Sequence, residues 1–138
     1  MISDLNIDDY KDYLSLMSNF RPVKTDMSKQ DFIDIYNKIK INGKIFVYKI
    51  DNKIIAATSI VEEYKFINNN GKVCHIEDVF VDKNFRNKGI ATKMIKYVEN
   101  YCINNNFYKM ILNCDKELIS FYEKFGFSNA ISMIKKLI

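Results

Sequence analysis

The sequence predicts an α/β domain in which a mixed central β-sheet is flanked by helices. The first sign is a set of strand-length apolar runs, at 44–50, 54–64, 73–81 and 107–114, rich in β-branched and aromatic residues and separated by turn residues. The second is a set of helix-spaced apolar rows around them, in which apolar residues recur at three and four. The third is a strand, helix, strand order from His75 to Cys114, which a right-handed crossover converts into a parallel pair inside an otherwise antiparallel meander. At 138 residues, 48% of them hydrophobic, the chain has enough apolar material for a core, and one domain spanning 1–138 is expected. No repeat, linker or low-complexity segment interrupts it.

In chain order, 2–7 reads as a short strand. Asp8 or Asp9 is placed to cap a helix reaching about Asn19, with Tyr10, Tyr13, Leu14, Leu16 and Met17 as its apolar face. A loop with the sole proline, Pro22, follows. Ser28 and Asp31 have the spacing of a capping box ahead of Phe32, Ile35, Tyr36 and Ile39, and Asn42-Gly43 reads as the C-cap of that second helix. Phe46, Tyr48 and Ile50 alternate with Ile45, Val47 and Lys49, so the next strand should be covered on both faces or nearly so. Asp51-Asn52-Lys53 forms a tight hairpin to the strand after it, and Asn68 to Gly71 a turn before the next. After Gly89, Ile90, Met94, Val98 and Tyr101 form one apolar row and Ala91, Ile95 and Cys102 the next, with Asn104 to Asn106 as the stop. Asp115 heads a helix over 116–125 that Gly126 ends, and 131–137 should return as an antiparallel strand.

The chain is organised around HIEDVFVDKNFRNKGIAT, His75 to Thr92. Glu77 and Asp78 interrupt an apolar strand, and charge in a core strand is costly unless it is paired or faces water. An edge strand with a wet face satisfies that; so does a strand lining a pocket, which the continuation favours. A turn carrying Lys83, Arg86 and Lys88 leads to Gly89 and a helix start, where free N–H groups and positive partial charge can hold a phosphate. Basic turns with one glycine are also common on ordinary surfaces.

Composition narrows the partners. The net charge is +4, arginine occurs only at Arg21 and Arg86, and the lysines are dispersed, which argues against a nucleic-acid stripe. Cys74, Cys102 and Cys114 are odd in number and lack a C-x-x-C spacing, so neither a disulfide framework nor a metal site is expected; they read as core thiols in a reducing cytoplasmic setting. The N-terminus does not read as a signal peptide, and no apolar run approaches a membrane span. His75, the lone histidine, reads as structural rather than as a general base.

The segment R-x-x-G-I-A at Arg86 to Ala91 resembles the acyl-CoA pyrophosphate loop of the GCN5-related N-acetyltransferase (GNAT) superfamily, and FYEKFGF at Phe121 to Phe127 is similar to a second motif of that superfamily. HIEDVFV, FYKMILNCD and FYEKFGFSNA, in that order and spacing, look like the glucosamine-6-phosphate N-acetyltransferase family. The likeness is close from about Ile60 to Ala130 and looser before that. The P-loop pattern is absent.

The resemblance implies a GNAT fold and acetyl transfer from acetyl-CoA to the amine of glucosamine 6-phosphate in a ternary complex, without a metal. It implies that Val79, Phe80 and Val81 meet the acetyl and pantetheine arm through the backbone. It places the pyrophosphate on Arg86, Asn87, Lys88, Gly89, Ile90, Ala91 and Thr92. Glu77, Asp78, Tyr108 and Lys109 match sugar contacts. Lys65, Phe66, Ile67 and Asn68 match positions that reach the neighbouring subunit's site, which implies a homodimer with shared sites. The two N-terminal helices and their loop would lie over the substrate. Tyr122 matches the phenol that protonates the leaving thiolate; by residue type alone it reads as a core aromatic beside Phe121 and Phe125. The chain departs from the family twice. Lys135 and Lys136 stand where an arginine for the sugar phosphate is usual. Asn113 stands where a candidate proton acceptor, Asp or Glu, is usual, and an amide cannot take a proton. Acetylation of a different amine (a polyamine, an aminoglycoside or a protein N-terminus) and a weakly active CoA-binding module are the alternatives.

Overall fold

The computed structural model describes residues 1–138. One five-stranded sheet runs in the order β1-β2-β3-β4-β5. Strand β1 (Ile2–Asp4) pairs antiparallel with β2 (Gly43–Ile50), β2 with β3 (Lys53–Tyr64), and β3 with β4 (Lys72–Val81). Strand β5 (Phe107–Ile111) lies parallel to β4, as the crossover rule requires. Helices α1 (Tyr10–Ser18) and α2 (Lys29–Lys40) cover one face of the sheet, and α4 (Ile90–Asn104) covers the other. A single turn, α3 (Ile67–Asn70), joins β3 to β4. Asn68, Asn69 and Asn70 take left-handed dihedrals there, which asparagine tolerates better than most residues. The short helix α5 (Ile119–Glu123) follows a 3-10 turn at Lys116–Leu118.

The alternation in β2 and β3 divides the core in two. Phe46, Ile60, Cys74 and Ile76 pack against Met94, Ile95 and Val98 of α4. On the other face Ile45, Val47, Ile54 and Phe80 pack against Leu14, Leu16, Met17, Phe32 and Tyr36 of α1 and α2. Each such side chain, fully buried, contributes about 1.5–3 kcal/mol. The hairpin at Asp51-Asn52 has positive φ at both residues (50° and 63°), the requirement of a type I′ turn.

Several local expectations change. Neither Asp8 nor Asp9 caps α1 with its side chain. Asn6 accepts from the Asp8 N–H, Asp8 pairs with Lys29 at 2.6 Å, and Asp9 pairs with Lys49 of β2, so the carboxylates tie α1 to its neighbours instead. Ser28 does cap α2, accepting from Asp31 N at 3.0 Å. Gly43 is not a C-cap: α2 ends at Lys40, and Gly43 opens β2, where an added Cβ would lie 2.5 Å from the Ile60 carbonyl oxygen. Close approach of two backbones, not a positive φ, calls for glycine there. Cys74 and Cys102 are buried as core thiols, whereas Cys114 is exposed just beyond the sheet.

Strand β5 ends at Ile111 rather than at Cys114, and the helix expected over 116–125 is a 3-10 turn plus one short helix. The expected C-terminal strand is absent. Residues 127–138 have no regular structure, and Ile131, Met133, Ile134 and Leu137 are 98%, 93%, 79% and 86% exposed. No strand of the same chain pairs with them, so their apolar side chains stay in solvent. No helix is long and apolar enough to cross a membrane.

Candidate active site

The site begins with one extra residue in β4. The pairing with β3 passes from Ser59↔Glu77 to Ala57↔Phe80, so Asp78 and Val79 together oppose Thr58. Asp78 takes φ 52°, and the Thr58 hydroxyl donates to the Glu77 carbonyl at 3.2 Å. A β-bulge of this kind flips every later side chain to the other face. Ile76 faces α4 and Glu77 the opposite side; past the bulge Val79 and Val81 face the α4 side and Phe80 sits under α1.

The second feature is divergence. Strand β5 pairs with β4 only from Lys72↔Phe107 to His75↔Ile111, while β4 continues to Val81. The distal half of β4 therefore has no neighbour on that side, and its backbone groups are open to a ligand. The third feature is the loop after β4. Asp82 caps a 3-10 turn at Lys83–Phe85 by accepting from Asn84 N at 2.8 Å. Arg86 Nε donates to the Val81 carbonyl at 3.2 Å and so ties the loop to the strand. Asn87 (φ 61°) and Gly89 (φ 74°) turn the chain into α4, and an added Cβ at Gly89 would meet nothing within 4 Å. The first turn of α4, with Ile90, Ala91 and Thr92 on the cleft wall, brings the unpaired N–H groups at the positive end of a fifteen-residue helix to this space. An anionic, phosphate-bearing group such as that of acetyl-CoA fits these donors.

These features enclose a cleft of about 720 Å³, lined by Val79, Phe80, Val81, Phe85, Arg86, Asn87, Gly89, Ile90, Ala91 and Thr92 on one side and by Asp115, Leu118, Phe121 and Tyr122 on the other, with Asn19, Phe20 and Arg21 over it. Tyr122 belongs both to the core and to the cleft wall, with its ring edge-on to Phe121 and Phe127. Burial, aided by the nearby Cys114, raises its phenol above the usual range, so it is neutral and able to donate at any physiological pH.

Of the residues expected at the site, Val79, Phe80, Val81, Arg86, Asn87, Gly89, Ile90, Ala91, Thr92 and Tyr122 come together on the cleft walls. Lys88 is exposed over the Phe85 ring and is not a wall residue. Asp78 sits at the bulge, and Glu77 opens onto an adjoining groove of about 490 Å³ with His75, Glu63 and Val61. His75 faces Glu63 at 3.5 Å, and Glu63 also pairs with Lys65 at 2.8 Å. Asn113 is exposed past the end of β5 and does not line the cleft; Asp115 does.

Tyr108, Lys109, Lys65, Phe66, Ile67 and Asn68 gather elsewhere. Lys109 pairs with Val73 and Tyr64 with Lys72, at the opposite end of β4, roughly 20 Å of strand from Val79 at about 3.3 Å per residue. The position of a Cβ on Gly71 would be 3.1 Å from Tyr108 Cβ, so the β3–β4 turn and β5 touch there. Phe66, Ile67 and Tyr108 are 96%, 67% and 54% exposed. Lys135 and Lys136 lie in the exposed tail. The cleft residues that the sequence did not assign to a site are Asn19, Phe20, Arg21, Phe85, Leu118 and Phe121. The family resemblance places the α1–α2 loop over the substrate, but which of its side chains meet the cleft depends on the stacking of Phe20 on Phe80.

Comparison with known proteins identifies the architecture. Residues 9–127 match the model of the Acetyltransferase (GNAT) family. The chain belongs to the GNAT family of acetyltransferases. It is 37% identical over 131 residues to glucosamine 6-phosphate N-acetyltransferase 1 of Dictyostelium discoideum, an alignment covering 89% of this chain and 81% of that protein. It is 43% identical over 84 residues to the Arabidopsis thaliana glucosamine 6-phosphate N-acetyltransferase, covering 61% of this chain and 56% of that one. The crystal structure of the Arabidopsis thaliana enzyme superposes with a TM-score of 0.91 at 34% identity, over 100% of this chain and 98% of that chain. A protein of known structure from Agrobacterium tumefaciens, at 17% identity and a TM-score of 0.86 over 99% of this chain and 98% of that one, shares the fold.

Four of the nine tyrosines have phenols shifted upward, with burial the first cause in each. Tyr13 is pushed up to about 12 by burial and then by the Asp78 charge, while the Ser59 side chain works the other way. Groups raised in the fold favour it fully below their unfolded value near 10, and that contribution is lost as pH rises through the folded values. Ultraviolet titration should show Tyr13, Tyr36, Tyr101 and Tyr122 ionising after the other phenols, and Tyr122→Phe should remove one from the late phase. Ionisation of all nine in one step near pH 10 with the fold intact would contradict this placement.

Proposed function

We propose that this chain transfers the acetyl group of acetyl-CoA to the amine of glucosamine 6-phosphate. The observation that carries the proposal is the cleft where β4 leaves β5: an open strand edge, a helix N-terminus opened by glycine and a neutral phenol face one space. The acceptor comes from the relatives, two of which carry that activity in their names. The same cleft would serve acetylation of another small amine, which remains the alternative.

Acetyl-CoA supplies the thioester. The open edge from Val79 to Val81 holds the pantetheine arm in extended register, and the bulge aims a backbone N–H at the thioester oxygen. Arg86, Asn87, Lys88 and Gly89, with the N–H groups of Ile90, Ala91 and Thr92, hold the pyrophosphate. Glu77 and Asp78 orient the sugar. The amine nitrogen forms the new C–N bond as the C–S bond breaks. Tyr122 gives its proton to the departing sulfur, and the amine's proton leaves to solvent or Asp115. The role proposed for Asn113, accepting one N–H through its carbonyl to aim the lone pair, requires the bound sugar to extend past the cleft wall to the exposed end of β5.

We further infer a homodimer with shared sites. Glu77 and Asp78 lie near the cleft, whereas the patch holding Phe66, Ile67, Tyr108 and Lys109 is at the far end of the same strand pair; both halves can serve one ligand only if the patch belongs to a second copy. The exposed apolar tail, with Lys135 and Lys136, needs the same partner to cover it.

Free-thiol release from acetyl-CoA, read across a panel of amines, should be greatest with glucosamine 6-phosphate, and Gly89→Asp should abolish acetyl-CoA binding by calorimetry, since it sets a negative charge among the donors. Unchanged affinity in a folded Gly89→Asp protein would remove the loop assignment. The rate should rise into the alkaline range, because no carboxylate stands at 113. Asn113→Asp should speed turnover at lower pH, by up to about 10²-fold. A folded Asn113→Asp protein without activity would show that the amide itself is required. Light scattering should give twice the 16.3 kDa chain mass, and a monomer at micromolar concentration and above would count against the shared site.

A further inference from the structure

Arg21 heads a column of stacked groups on one wall of the cleft. Its guanidinium carbon lies 4.5 Å from the centroid of the Phe20 ring. Phe20 stacks on Phe80 at 5.2 Å and 11°. The Arg86 guanidinium carbon lies 5.6 Å from the other ring, that of Phe80. Phe80 faces the α1 side only because the bulge precedes it, so the bulge also fixes where the column stands. All four residues line the cleft.

The two ends of the column are not equivalent. Arg86 spends its Nε–H on the Val81 carbonyl. Arg21 donates from Nη1 to the Phe20 carbonyl at 2.8 Å and has no carboxylate partner. A guanidinium has five N–H donors in one plane, and stacking on a ring uses its face, not its edge. Arg21 therefore keeps its Nε–H and Nη2 donors, one planar edge of the guanidinium, uncommitted and held by stacking above a cleft whose only carboxylate is Asp115. The ligand chemistry that suits a fixed fork is a phosphate, bound through parallel charge-assisted hydrogen bonds. The tail lysines, Lys135 and Lys136, cannot supply that geometry, because lysine binds as a point charge and these two are exposed away from the cleft.

We propose that Arg21 is a phosphate-binding, specificity-determining residue of this cleft, holding a phosphate of the bound substrates from the α1–α2 loop. The inference rests on the transfer reaction proposed above. The phosphate is that of the amino sugar or one of those of acetyl-CoA, and the two sources are separable.

The test compares Arg21→Met, which keeps an apolar stem over Phe20, with Arg21→Lys, which keeps the charge but not the fork. KM and kcat are measured with glucosamine 6-phosphate and with glucosamine, and acetyl-CoA affinity by calorimetry. If the sugar phosphate is the ligand, Arg21→Met lowers the preference for glucosamine 6-phosphate over glucosamine by about 10-fold or more, mainly through KM, and Arg21→Lys recovers part of it. If a phosphate of acetyl-CoA is the ligand, Arg21→Met weakens acetyl-CoA by about 10-fold or more and affects both acceptors alike. The proposal is overturned if Arg21→Met leaves both the preference and the acetyl-CoA affinity unchanged. It is also overturned if both variants lower every parameter equally together with Tm, which would make Arg21 only a prop for Phe20. If the unaltered protein acetylates neither sugar, the acceptor reading fails, and acetyl-CoA affinity alone decides: retained affinity in Arg21→Met refutes the role of Arg21, and a loss of about 10-fold supports it.

Discussion

The bulge at Asp78 is the constraint on which the rest of the site depends. A strand without it would point Glu77 and Val79 to one face and Asp78 and Phe80 to the other. The extra residue resets the alternation, so that Val79 and Val81 complete the core under α4 while Phe80 reaches across to Phe20. One local irregularity thus settles which wall is apolar, where the α1–α2 loop docks and where the carboxylates stand. It also bends the strand away from its neighbour, in keeping with the end of the β4–β5 ladder at His75↔Ile111. The cost of a left-handed, non-glycine residue at Asp78 is of order 1–3 kcal/mol. It is offset by the burial of Phe80 and by the Thr58 hydroxyl held on the Glu77 carbonyl.

Divergence of two parallel strands creates a problem that the loop and α4 resolve. An unpaired length of β4 has free backbone groups on one side, and buried free groups are costly. Placing a helix N-terminus beside that edge leaves all the free donors in one wet cleft rather than scattered through the core. Arg86 links the two features, since its Nε bond to Val81 fixes the loop against the last residue of the strand. The helix end is positively polarised, while at Tyr122 burial favours the neutral phenol.

What the sequence makes legible is what depends on local pattern. The rows along α4 are a matter of period, the turn at Asp51-Asn52 a matter of residue type, and Gly89 stands where only a strand and a helix flank it. Glu77-Asp78 within an apolar run marks a strand with a wet edge or pocket, because adjacent residues point to opposite faces and one buried face cannot hide both charges. Legibility fails where a residue answers to something distant in sequence. Gly43 has the look of a helix cap, yet its reason is Ile60 on the adjacent strand. Asp8 and Asp9 are good capping residues that lysines from α2 and β2 draw away. Cys114 follows an apolar strand but lies beyond the end of its ladder. The tail from Ile131 has strand composition, and the chain offers it no strand to join. Arg21 and Phe20 become meaningful only once Phe80 is known to face them.

The amide at 113 acquires a physical sense in this setting. Under the proposed reaction the attacking amine must be neutral. A carboxylate close to an amine does two opposed things: it can take the proton, and by its charge it stabilises the ammonium form and raises the amine's pKa. A site with a carboxylate there therefore needs that group as a base, because the same group keeps the amine charged. With Asn113 that position contributes neither effect, and Asp115 on the cleft wall is the carboxylate left to act. The amine of a 2-amino sugar is already less basic than a lysine, since neighbouring oxygens withdraw electrons. Nearby cationic or positively polarised groups, the end of α4 and the guanidinium of Arg86 among them, lower it further by disfavouring a second positive charge. The electrostatics that hold phosphates thus also bias the nucleophile toward its reactive form. A general base then becomes an accessory to the proposed reaction, not a condition of it.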